Sequence, residues 1–376
     1  MPDPRHDRID RAQAALARRG IGALLLGPSS DLRWLLGYDP PPLERLTMLV
    51  VPAAGDPLLV APALEAPLAE EHLFGGDGGD LGIKVLAWQE TEDPVALVTG
   101  SLAAVGADAA GASLAVGDHL WATFLLRLQA ALPAVQWLPA SLVTGPLRAR
   151  KDPAELDALA RAGAAIDRVV EALGEWVRVG RTELEVAADL DRAIRAGHER
   201  TNFTIVGSGP NGASPHHIAG PRRLEPGDAV VVDIGGRVDG YCSDTTRTVV
   251  LGEPDPAFTA MYEVLRQAQE AGCQAVRPGV TAASVDAACR QPITSAGYGE
   301  RFIHRTGHGI GLDEHEDPWI VAGNDEPLEP GMAFSVEPGI YIPGRWGARI
   351  EDIVVCTQDG GRRLNATGRQ LKILPV

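Results

Sequence analysis

The 376-residue sequence predicts an N-terminal α/β domain over residues 1–147 and a C-terminal α+β domain, with an internal pseudo-twofold duplication, over residues 148–376. Three observations support this prediction. Short apolar runs alternate with helical patterns in the first third of the chain, which is typical of α/β folds. A charged segment at 147–152 precedes Pro153, a residue suited to the first turn of a long helix, and indicates the domain boundary. Two motifs in the second part each occur twice, 99 and 104 residues apart.

The N-terminal elements follow from hydrophobic periodicity. Residues 7–19 and 119–131 have the spacing of amphipathic helices. Short apolar runs predict the strands of a central sheet, at 23–26, 47–51, 58–61 and 113–116. No glycine-rich phosphate loop follows these strands, and the glycine-rich segment at 75–79 is interpreted as a surface loop.

The C-terminal part repeats one order of helix, glycine turn, capped helix and hairpin. Val-Arg-Val-Gly-Arg-Thr at 177–182 corresponds to Val-Arg-Pro-Gly-Val-Thr at 276–281, and each threonine can cap a following helix. Leu-Glu-Pro-Gly occurs at both 224–227 and 328–331. A duplicated unit of this kind would place its two hairpins side by side about a pseudo-twofold axis.

Each Leu-Glu-Pro-Gly copy leads into an apolar strand that ends on an acid six residues after the glycine, Asp233 in one copy and Glu337 in the other. After a turn, the chain returns with a further acid, Asp244 or Glu351. Four acids on apolar strands are costly to bury without cations, because like charges and desolvation both disfavour ionisation. His308, flanked by glycines, is the candidate fifth ligand. Four carboxylates and one imidazole suit Mn²⁺, Co²⁺ or Zn²⁺ and suffice for two ions.

Strand periodicity predicts which neighbours share a face with these acids. Side chains two residues apart point the same way along a strand. Thr246 is therefore expected on the face of Asp244, and Arg349 on the face of Glu351.

Five short segments of the C-terminal part form a distinctive pattern. They are Val-Val-Asp-Ile-Gly at 231–235, Ser-Asp-Thr-Thr-Arg-Thr at 243–248, Gly-His-Gly-Ile-Gly-Leu at 307–312, Val-Glu-Pro-Gly at 336–339 and Arg-Ile-Glu-Asp at 349–352. In order and spacing they resemble the pita-bread metallopeptidases, which include methionine aminopeptidase, aminopeptidase P and prolidase. The N-terminal part is similar to the creatinase-like domain of aminopeptidase P and prolidase. Short methionine aminopeptidases lack that domain and creatinases lack the metal ligands, so the Xaa-Pro peptidase branch is favoured.

The resemblance implies a hydrolase with two divalent ions, of which Mn²⁺ is the first expectation and Co²⁺ or Zn²⁺ the alternatives. Asp233 would bind one ion, Asp244 and Glu351 would bind both, and His308 and Glu337 would complete the second. The ions would activate the water that attacks the scissile carbonyl. Glu337 would also carry the proton from the nucleophile to the leaving nitrogen.

Further residues are assigned through the same resemblance. His216 and His315 would stabilise the tetrahedral intermediate and hold substrate, while Thr246 and Arg349 would orient the ligands. His216 is preferred to its neighbour His217 because it lies 17 residues before Asp233, as the histidine of the family does. A separate candidate, His304, is interpreted as a strand histidine without a functional role.

The resemblance also implies cleavage of Xaa-Pro bonds. The short N-terminal domain favours a Xaa-Pro dipeptidase (prolidase). The alternatives are a Xaa-Pro aminopeptidase acting on longer peptides, a hydrolase of a small non-peptide amide, and a non-catalytic binding module. A dipeptidase must bind a C-terminal carboxylate, for which Arg45 is the candidate; otherwise Arg45 is a surface arginine that pairs with Glu44 or with solvent.

Composition excludes several classes of partner. The net charge is −16 and no basic stripe exists, so we expect neither nucleic acid nor a membrane surface as a partner. Residues 1–20 lack the apolar segment of a secretory signal, and no apolar run reaches the roughly 18 residues of a membrane span. The four cysteines lack CxxC spacing and are expected as free, mostly buried thiols of a cytoplasmic protein. The resemblance implies a homodimer.

Overall fold

A computed structural model describes residues 3–74 and 81–376, so the predicted surface loop at 75–79 lies outside the described residues. The chain divides into two units, Met1–Arg148 and Ala149–Val376, one residue beyond the predicted boundary. All four cysteines are free and buried, as the sequence predicts. None of the described helices combines the length and hydrophobicity that a transmembrane span requires.

The N-terminal unit is built around a six-stranded mixed sheet with the order β4-β3-β2-β1-β5-β6. Its strands are β1 Ala23–Leu26, β2 Met48–Pro52, β3 Leu58–Pro62, β4 Lys84–Trp88, β5 Ser113–Val116 and β6 Gln136–Pro139. Its helices are α1 Pro4–Arg19, α2 Ser30–Leu36, α3 Ala66–Phe74, α4 Pro94–Ala104, α5 Ala122–Ala131 and α6 Ser141–Ala149, which ends one residue past the unit boundary. The predicted α/β class and the four predicted strands are confirmed, but α5 begins three residues later than the periodicity predicts.

The C-terminal unit contains four long helices and two principal sheets. The helices are α7 Pro153–Glu171, α8 Glu183–Arg195, α9 Pro256–Ala275 and α10 Ala282–Ser295. The strands are β7 Arg200–Ser208, β8 Ala229–Val238, β9 Tyr241–Cys242, β10 Thr245–Leu251, β11 Gly307–Gly309, β12 Glu316–Ile320, β13 Ala333–Val336, β14 Gly339–Ile342, β15 Trp346–Arg349, β16 Asp352–Thr357, β17 Gly360–Arg363 and β18 Lys372–Leu374. One sheet has the order β18-β10-β8-β7 and the other β12-β11-β13-β16-β17, while β14 and β15 form a separate hairpin.

The predicted duplication is visible in equivalent backbone contacts. Thr182 caps α8 and Thr281 caps α10, each accepting a hydrogen bond from the backbone N–H three residues on. The glycine two residues before each cap donates to the leucine of the Leu-Glu-Pro-Gly motif, Gly180 to Leu224 and Gly279 to Leu328, both at 2.8 Å. Both glycines have positive φ, 85° and 83°, a conformation that side chains with a Cβ rarely adopt. The two motifs therefore occupy matching positions in the two repeats.

Three of the four predicted acids lie where strands are interrupted, rather than within continuous hairpins. Asp244 lies between β9 and β10, Glu337 between β13 and β14, and Glu351 between β15 and β16. Asp233 lies within β8, where it pairs with Thr246 of β10 and not with Asp244. In the second repeat, the turn between the two acids is formed by β14 and β15, which pair with each other as a hairpin.

Hydrogen bonds to backbone carbonyl groups join the two repeats next to these acids. Glu351 N donates to Thr246 O at 3.1 Å, and Thr248 Oγ1 donates to Arg349 O at 3.1 Å. The segment between β15 and β16 therefore lies against β10 of the first repeat. This contact brings acids separated by more than 100 residues in sequence to one place.

Candidate metal centre

A cavity of about 730 Å³ lies in the C-terminal unit and is lined by residues of both repeats. Its lining includes all five predicted metal ligands together with His216, His315 and Arg349. Its other lining residues include Phe203, Ile205, Ile303, His304, Arg305 and Glu314. The predicted site residues other than Thr246 and Arg45 thus contribute to one cavity wall.

The imidazole of His308 lies among the acids. Its Nε2 is 3.2 Å from Glu337 Oε1 and 3.7 Å from Asp244 Oδ2. Its Nδ1 donates to the carbonyl of Gly309 at 3.0 Å, which fixes the ring and leaves Nε2 for the acid cluster. Asp244, His308 and Glu351 each offer one donor atom, and these three atoms lie within 4.8 Å of one another. That spacing is short enough for all three to contact one ion.

The acids strongly perturb one another. Burial and the negative charges of Glu351 and Asp233 raise the pKa of Asp244 well above its ordinary value. Burial and the charges of Glu337 and Asp233 do the same to the pKa of Glu351. At Glu337 burial also acts to raise the pKa, but the hydrogen bond and charge of His308 outweigh it and lower the pKa to about 2.

These residues fit a divalent cation on two grounds. Among the described side chains, Asp233 Oδ1 and Glu351 Oε1 are buried carboxylate oxygens without a hydrogen-bond partner. A buried acceptor left unpaired is costly, and a carboxylate is more costly than a neutral group. The donor set, carboxylate oxygens with one imidazole nitrogen, also matches the preferences of Mn²⁺, Co²⁺ and Zn²⁺.

Thr246 and Arg349 hold the outer oxygens of these ligands. Thr246 Oγ1 donates to Glu351 Oε2 at 2.7 Å and accepts from Arg349 Nε at 3.0 Å. The same guanidinium forms an ion pair with Asp233 Oδ2 and donates to Tyr341 Oη at 2.8 Å. Arg349 is 2% exposed, so its charge is matched by Asp233 in the interior rather than by solvent. The sequence singles out Arg349, but Tyr341 has no signal beyond its position four residues after Glu337.

His216 and His217 have different surroundings. His216 lines the cavity, whereas His217 Nε2 lies 2.8 Å from Glu183 Oε2. The Glu183 carboxylate is fully buried and also accepts from Ser208 N at 2.8 Å and from Asn211 Nδ2 at 3.0 Å. Glu183 and His217 thus anchor the loop that carries His216. Sequence reasoning missed Glu183, which at the start of α8 is indistinguishable from an exposed first-turn acid.

His315 lies beside the acid cluster, with its ring centroid 4.0 Å from that of His308. Partial burial lowers the pKa of His315 to about 4, and the nearby positive charges of His308 and Arg305 act in the same direction. A neutral imidazole at this point can donate or accept a hydrogen bond without adding charge.

The prediction that His304 is a strand histidine is wrong. His304 lies in a bend before β11 and lines the cavity. Its Nδ1 donates to the carbonyl of Arg305 at 2.7 Å, and its Nε2 lies 2.9 Å from Tyr341 Oη. It therefore connects the cavity wall to the side chain that supports Arg349. The only sequence signal was its position four residues before His308.

Arg45 belongs to the N-terminal unit. Its guanidinium pairs there with Glu90 at 2.6 Å and with Glu44 at 3.1 Å. This arrangement corresponds to the alternative in which Arg45 is a surface arginine, and binding of substrate by Arg45 stays a prediction.

Comparisons with known proteins agree with this geometry. Residues 157–358 match metallopeptidase family M24, and residues 8–150 match the creatinase/prolidase N-terminal domain. The "Probable dipeptidase PepE" of Mycobacterium tuberculosis is 49% identical over 371 residues, covering 98% of this chain and 96% of the relative. The "Xaa-Pro dipeptidase" of Lactobacillus helveticus is 38% identical over 372 residues, covering 98% and 99%.

A solved structure extends the likeness to three dimensions. The crystal structure of dipeptidase PepE from Mycobacterium ulcerans matches with a TM-score of 0.92 at 49% identity, and the match covers 100% of both chains. The sequence resemblance to pita-bread peptidases and the predicted two-domain class are thereby confirmed. The chain belongs to metallopeptidase family M24.

Proposed function

We propose that this chain is a Xaa-Pro dipeptidase, a prolidase that hydrolyses the bond between any residue and proline in a dipeptide. One observation carries the chemistry: four acids and one histidine from both repeats meet in one cavity, and two of the buried carboxylate oxygens have no partner. The peptide class is supported by relatives named as dipeptidases at 49% and 38% identity over 98% of the chain.

Asp233, Asp244, His308, Glu337 and Glu351 would hold two divalent ions, for which Mn²⁺ is the first choice and Co²⁺ or Zn²⁺ the alternatives. Once bound, such ions supply Lewis acidity that polarises the scissile carbonyl and makes water a nucleophile near neutral pH. Thr246 and Arg349 would keep Glu351 and Asp233 in their orientations, because their hydrogen bonds occupy the outer oxygens of both carboxylates.

Glu337 is the residue that we assign to proton transfer. Contact with His308 already lowers the pKa of Glu337, and bound divalent ions would likewise favour its ionised form. The ionised carboxylate can accept a proton from the attacking water. It would then give that proton to the prolyl nitrogen, which must be protonated before it can leave. His216 and His315, both in the cavity wall, would donate hydrogen bonds to the oxygen that becomes negative during attack.

The cavity also suits the proline side of the bond. Phe203, Ile205 and Ile303 give part of its wall an apolar character, which favours a pyrrolidine ring over a charged side chain. The prolyl nitrogen carries no N–H, so a site for this bond needs no acceptor at that position.

The four buried free thiols are compatible with a reducing compartment, and we propose a cytoplasmic location for the protein. We also propose a homodimer, a proposal that rests on the family resemblance alone.

A substrate panel tests this function directly. The purified protein with Mn²⁺ should cleave Ala-Pro faster than Ala-Pro-Ala, and should cleave Ala-Ala poorly. Faster cleavage of the tripeptide would instead identify a Xaa-Pro aminopeptidase. Activity confined to non-peptide amides would reject the peptidase assignment, and absence of hydrolysis from a metal-loaded, folded protein would favour a binding module.

A further inference from the structure

We propose that the buried ion pair of Lys151 and Glu316 is a positioning device for His315, an inference that rests on the proposed hydrolytic function. The two charged groups meet at 2.6 Å, between Lys151 Nζ and Glu316 Oε1. Their side chains are 1% and 9% exposed, so the pair is shielded from solvent. Lys151 lies just before α7, whereas Glu316 directly follows His315 and begins β12.

The ring of His315 has no polar anchor of its own. Among the residues that the structure describes, none forms a hydrogen bond with this imidazole. Its neighbour is the ring of His308, whose centroid lies 4.0 Å away. The direction of the His315 side chain therefore depends on the backbone that carries it, and so on Glu316, the next residue.

Glu316 is fixed through both its backbone and its side chain. Its backbone pairs with Gly309 of β11 across the hairpin. Its carboxylate packs closely on Gly311, where an added Cβ would lie only 2.6 Å from Oε1. Because successive side chains alternate along a strand, a Glu316 that points inward to Lys151 directs the preceding His315 to the opposite side. His315 accordingly lines the cavity.

Lys151 is itself held by the second repeat. Its backbone N donates to the carbonyl of Gly331, in the second Leu-Glu-Pro-Gly motif, at 2.9 Å. The preceding residue, Arg150, forms a β-bridge with Met332. Lys151 thus provides a fixed point from which its charge can orient Glu316.

His308, the predicted metal ligand of the same hairpin, is held by other contacts. Its backbone N donates to Ser335 Oγ at 3.0 Å, and the next residue, Gly309, pairs with Phe334 of β13. Its Nδ1 donates to the carbonyl of Gly309. Loss of the ion pair should therefore displace His315 while His308 stays in place.

A buried ion pair is an inefficient way to stabilise a fold. Removing both charges from water costs free energy that their attraction offsets only in part, and apolar replacements of such pairs are often neutral or stabilising. A charge-assisted hydrogen bond does add direction, because it holds the carboxylate of Glu316 in one orientation where apolar contact would allow several. The position of the pair, one residue from His315, makes that orientation matter to the proposed site.

An apolar replacement of the pair separates positioning from stability. Lys151→Met/Glu316→Leu should melt within a few degrees of wild type, because no buried charge is left without its partner. On Ala-Pro with Mn²⁺ it should lose kcat roughly 10- to 100-fold while KM changes less than about threefold, because a donor to the developing oxyanion acts in the transition state. The content of bound metal should equal that of wild type.

The exposed ion pair of Arg150 and Glu329, next to Lys151 in sequence, provides the matched control. Arg150→Gln/Glu329→Gln removes two charges from the same segment and should keep the wild-type kcat and melting temperature.

A double-mutant cycle tests whether the pair acts through His315. In the His315→Ala background, Lys151→Met/Glu316→Leu should cause no further loss of kcat. A readout independent of activity is the ring signal of His315 in the NMR spectrum of Zn²⁺-loaded protein with labelled histidine, assigned by its absence from His315→Ala. This signal should shift in Lys151→Met/Glu316→Leu and stay unchanged in the control.

Four results would overturn the assignment. Wild-type kcat in the folded apolar variant, or a loss that adds to that of His315→Ala, would make the pair purely structural. Loss of bound metal would show that the pair acts on His308 instead. An unchanged His315 signal in the apolar variant would show that the ring is oriented by other contacts.

A wild-type protein inactive on Ala-Pro would reject the dipeptidase function, and the NMR comparison would still decide whether the pair orients His315. Should Lys151→Met/Glu316→Leu not fold, Lys151→Met/Glu316→Gln also leaves no buried charge and gives the same comparisons.

Discussion

At the scale of single residues, the contacts of Glu337 are those of a chemical role rather than of a residue that packs in the core. Oε1 of Glu337 contacts His308 Nε2 and also accepts from Ser335 Oγ at 3.0 Å. These contacts stabilise the ionised carboxylate and make no contribution to the apolar core. The residue follows the end of β13, so its side chain can change without altering the strand.

We predict that Glu337→Gln abolishes turnover while the fold survives. The amide has nearly the same volume but cannot accept the proton from water, so kcat on Ala-Pro should fall by roughly 10²- to 10⁴-fold or more. The melting temperature of the metal-free protein should change by only a few degrees. Steady-state kinetics and thermal melts measure the two effects.

The exposed Glu300→Gln serves as the matched control for this variant and should retain wild-type kcat. A Glu337→Gln protein with kcat close to wild type would remove Glu337 from the mechanism. Unfolding of the variant at ambient temperature would show that its role is structural.

His304 shows where sequence reasoning fails at this scale. His304 follows Phe302 and Ile303, which are residues typical of strands, and periodicity alone cannot reveal a bend. The structure buries Phe302 at 3% exposure but leaves Ile303 67% exposed, and β11 begins only at Gly307. The four acids could be predicted because the duplication presents two of them in each copy, whereas His308 was singled out by its flanking glycines.

At the scale of elements, the interruptions between strands orient the acids. A residue within a paired strand has its backbone direction fixed by the ladder. Asp244, Glu337 and Glu351 lie in the short gaps between strands, where the chain changes direction. Alternation along the sequence predicted the runs that carry these acids but not the gaps, because the end of each strand depends on which strand pairs with it, β13 with β16 and β14 with β15.

The loop after β7 is a second element that positions a residue of the site. It carries His216, and Glu183 at the start of α8 fixes it by accepting from Ser208, Asn211 and Gly220 and contacting His217. Burial acts to raise the pKa of Glu183, but these hydrogen bonds outweigh it and lower the pKa below its ordinary value. Folding therefore favours the ionised form of this carboxylate.

The lowered pKa makes part of the stability depend on pH. A group whose folded pKa is depressed contributes stability that is complete above its unfolded pKa, and this contribution is lost as the pH falls through the folded pKa. Replacing Glu183 with Gln removes that contribution. We predict that Glu183→Gln is less stable than wild type at pH 7 by about 1–3 kcal/mol, and that the difference shrinks below about pH 4.

Urea unfolding of both proteins at pH 7 and at acidic pH measures this difference. The exposed Glu199→Gln provides the control and should leave the stability unchanged at either pH. A Glu183→Gln deficit that does not decrease with acidification would contradict the pH linkage. A loop freed in this way should also lower kcat, because His216 loses its fixed position.

At the scale of the whole molecule, the site exists only where the two repeats meet. Asp233 and Asp244 come from the first repeat, and His308, Glu337 and Glu351 come from the second. The internal repetition was readable from sequence, so the class of the C-terminal unit and the grouping of its acids could be predicted. The contacts of Arg45 in the N-terminal unit could not, because nothing in a local pattern identifies Glu90 as its partner.

We predict about two divalent ions per chain, with activity lost on chelation and restored by Mn²⁺ or Co²⁺. A ligand that binds only the folded state stabilises it, by about 2.7 kcal/mol at a free concentration 100 times Kd. Adding Mn²⁺ to the chelated protein should therefore raise Tm by several degrees. Elemental analysis without a transition metal, combined with full activity in EDTA, would reject the two-metal site.

The position of Arg349 has a consequence for the order of folding. Its partners Thr246, Asp233 and Pro215 are 103, 116 and 134 residues away in sequence. Contacts that close such long loops form late, after local helices and hairpins. The ligand set would thus not yet be assembled in the folding transition state. Added Mn²⁺ should therefore slow unfolding far more than it speeds refolding. Stopped-flow experiments with and without Mn²⁺ measure both rates. If Mn²⁺ mainly accelerates refolding instead, the ligand set assembles before the folding barrier is crossed.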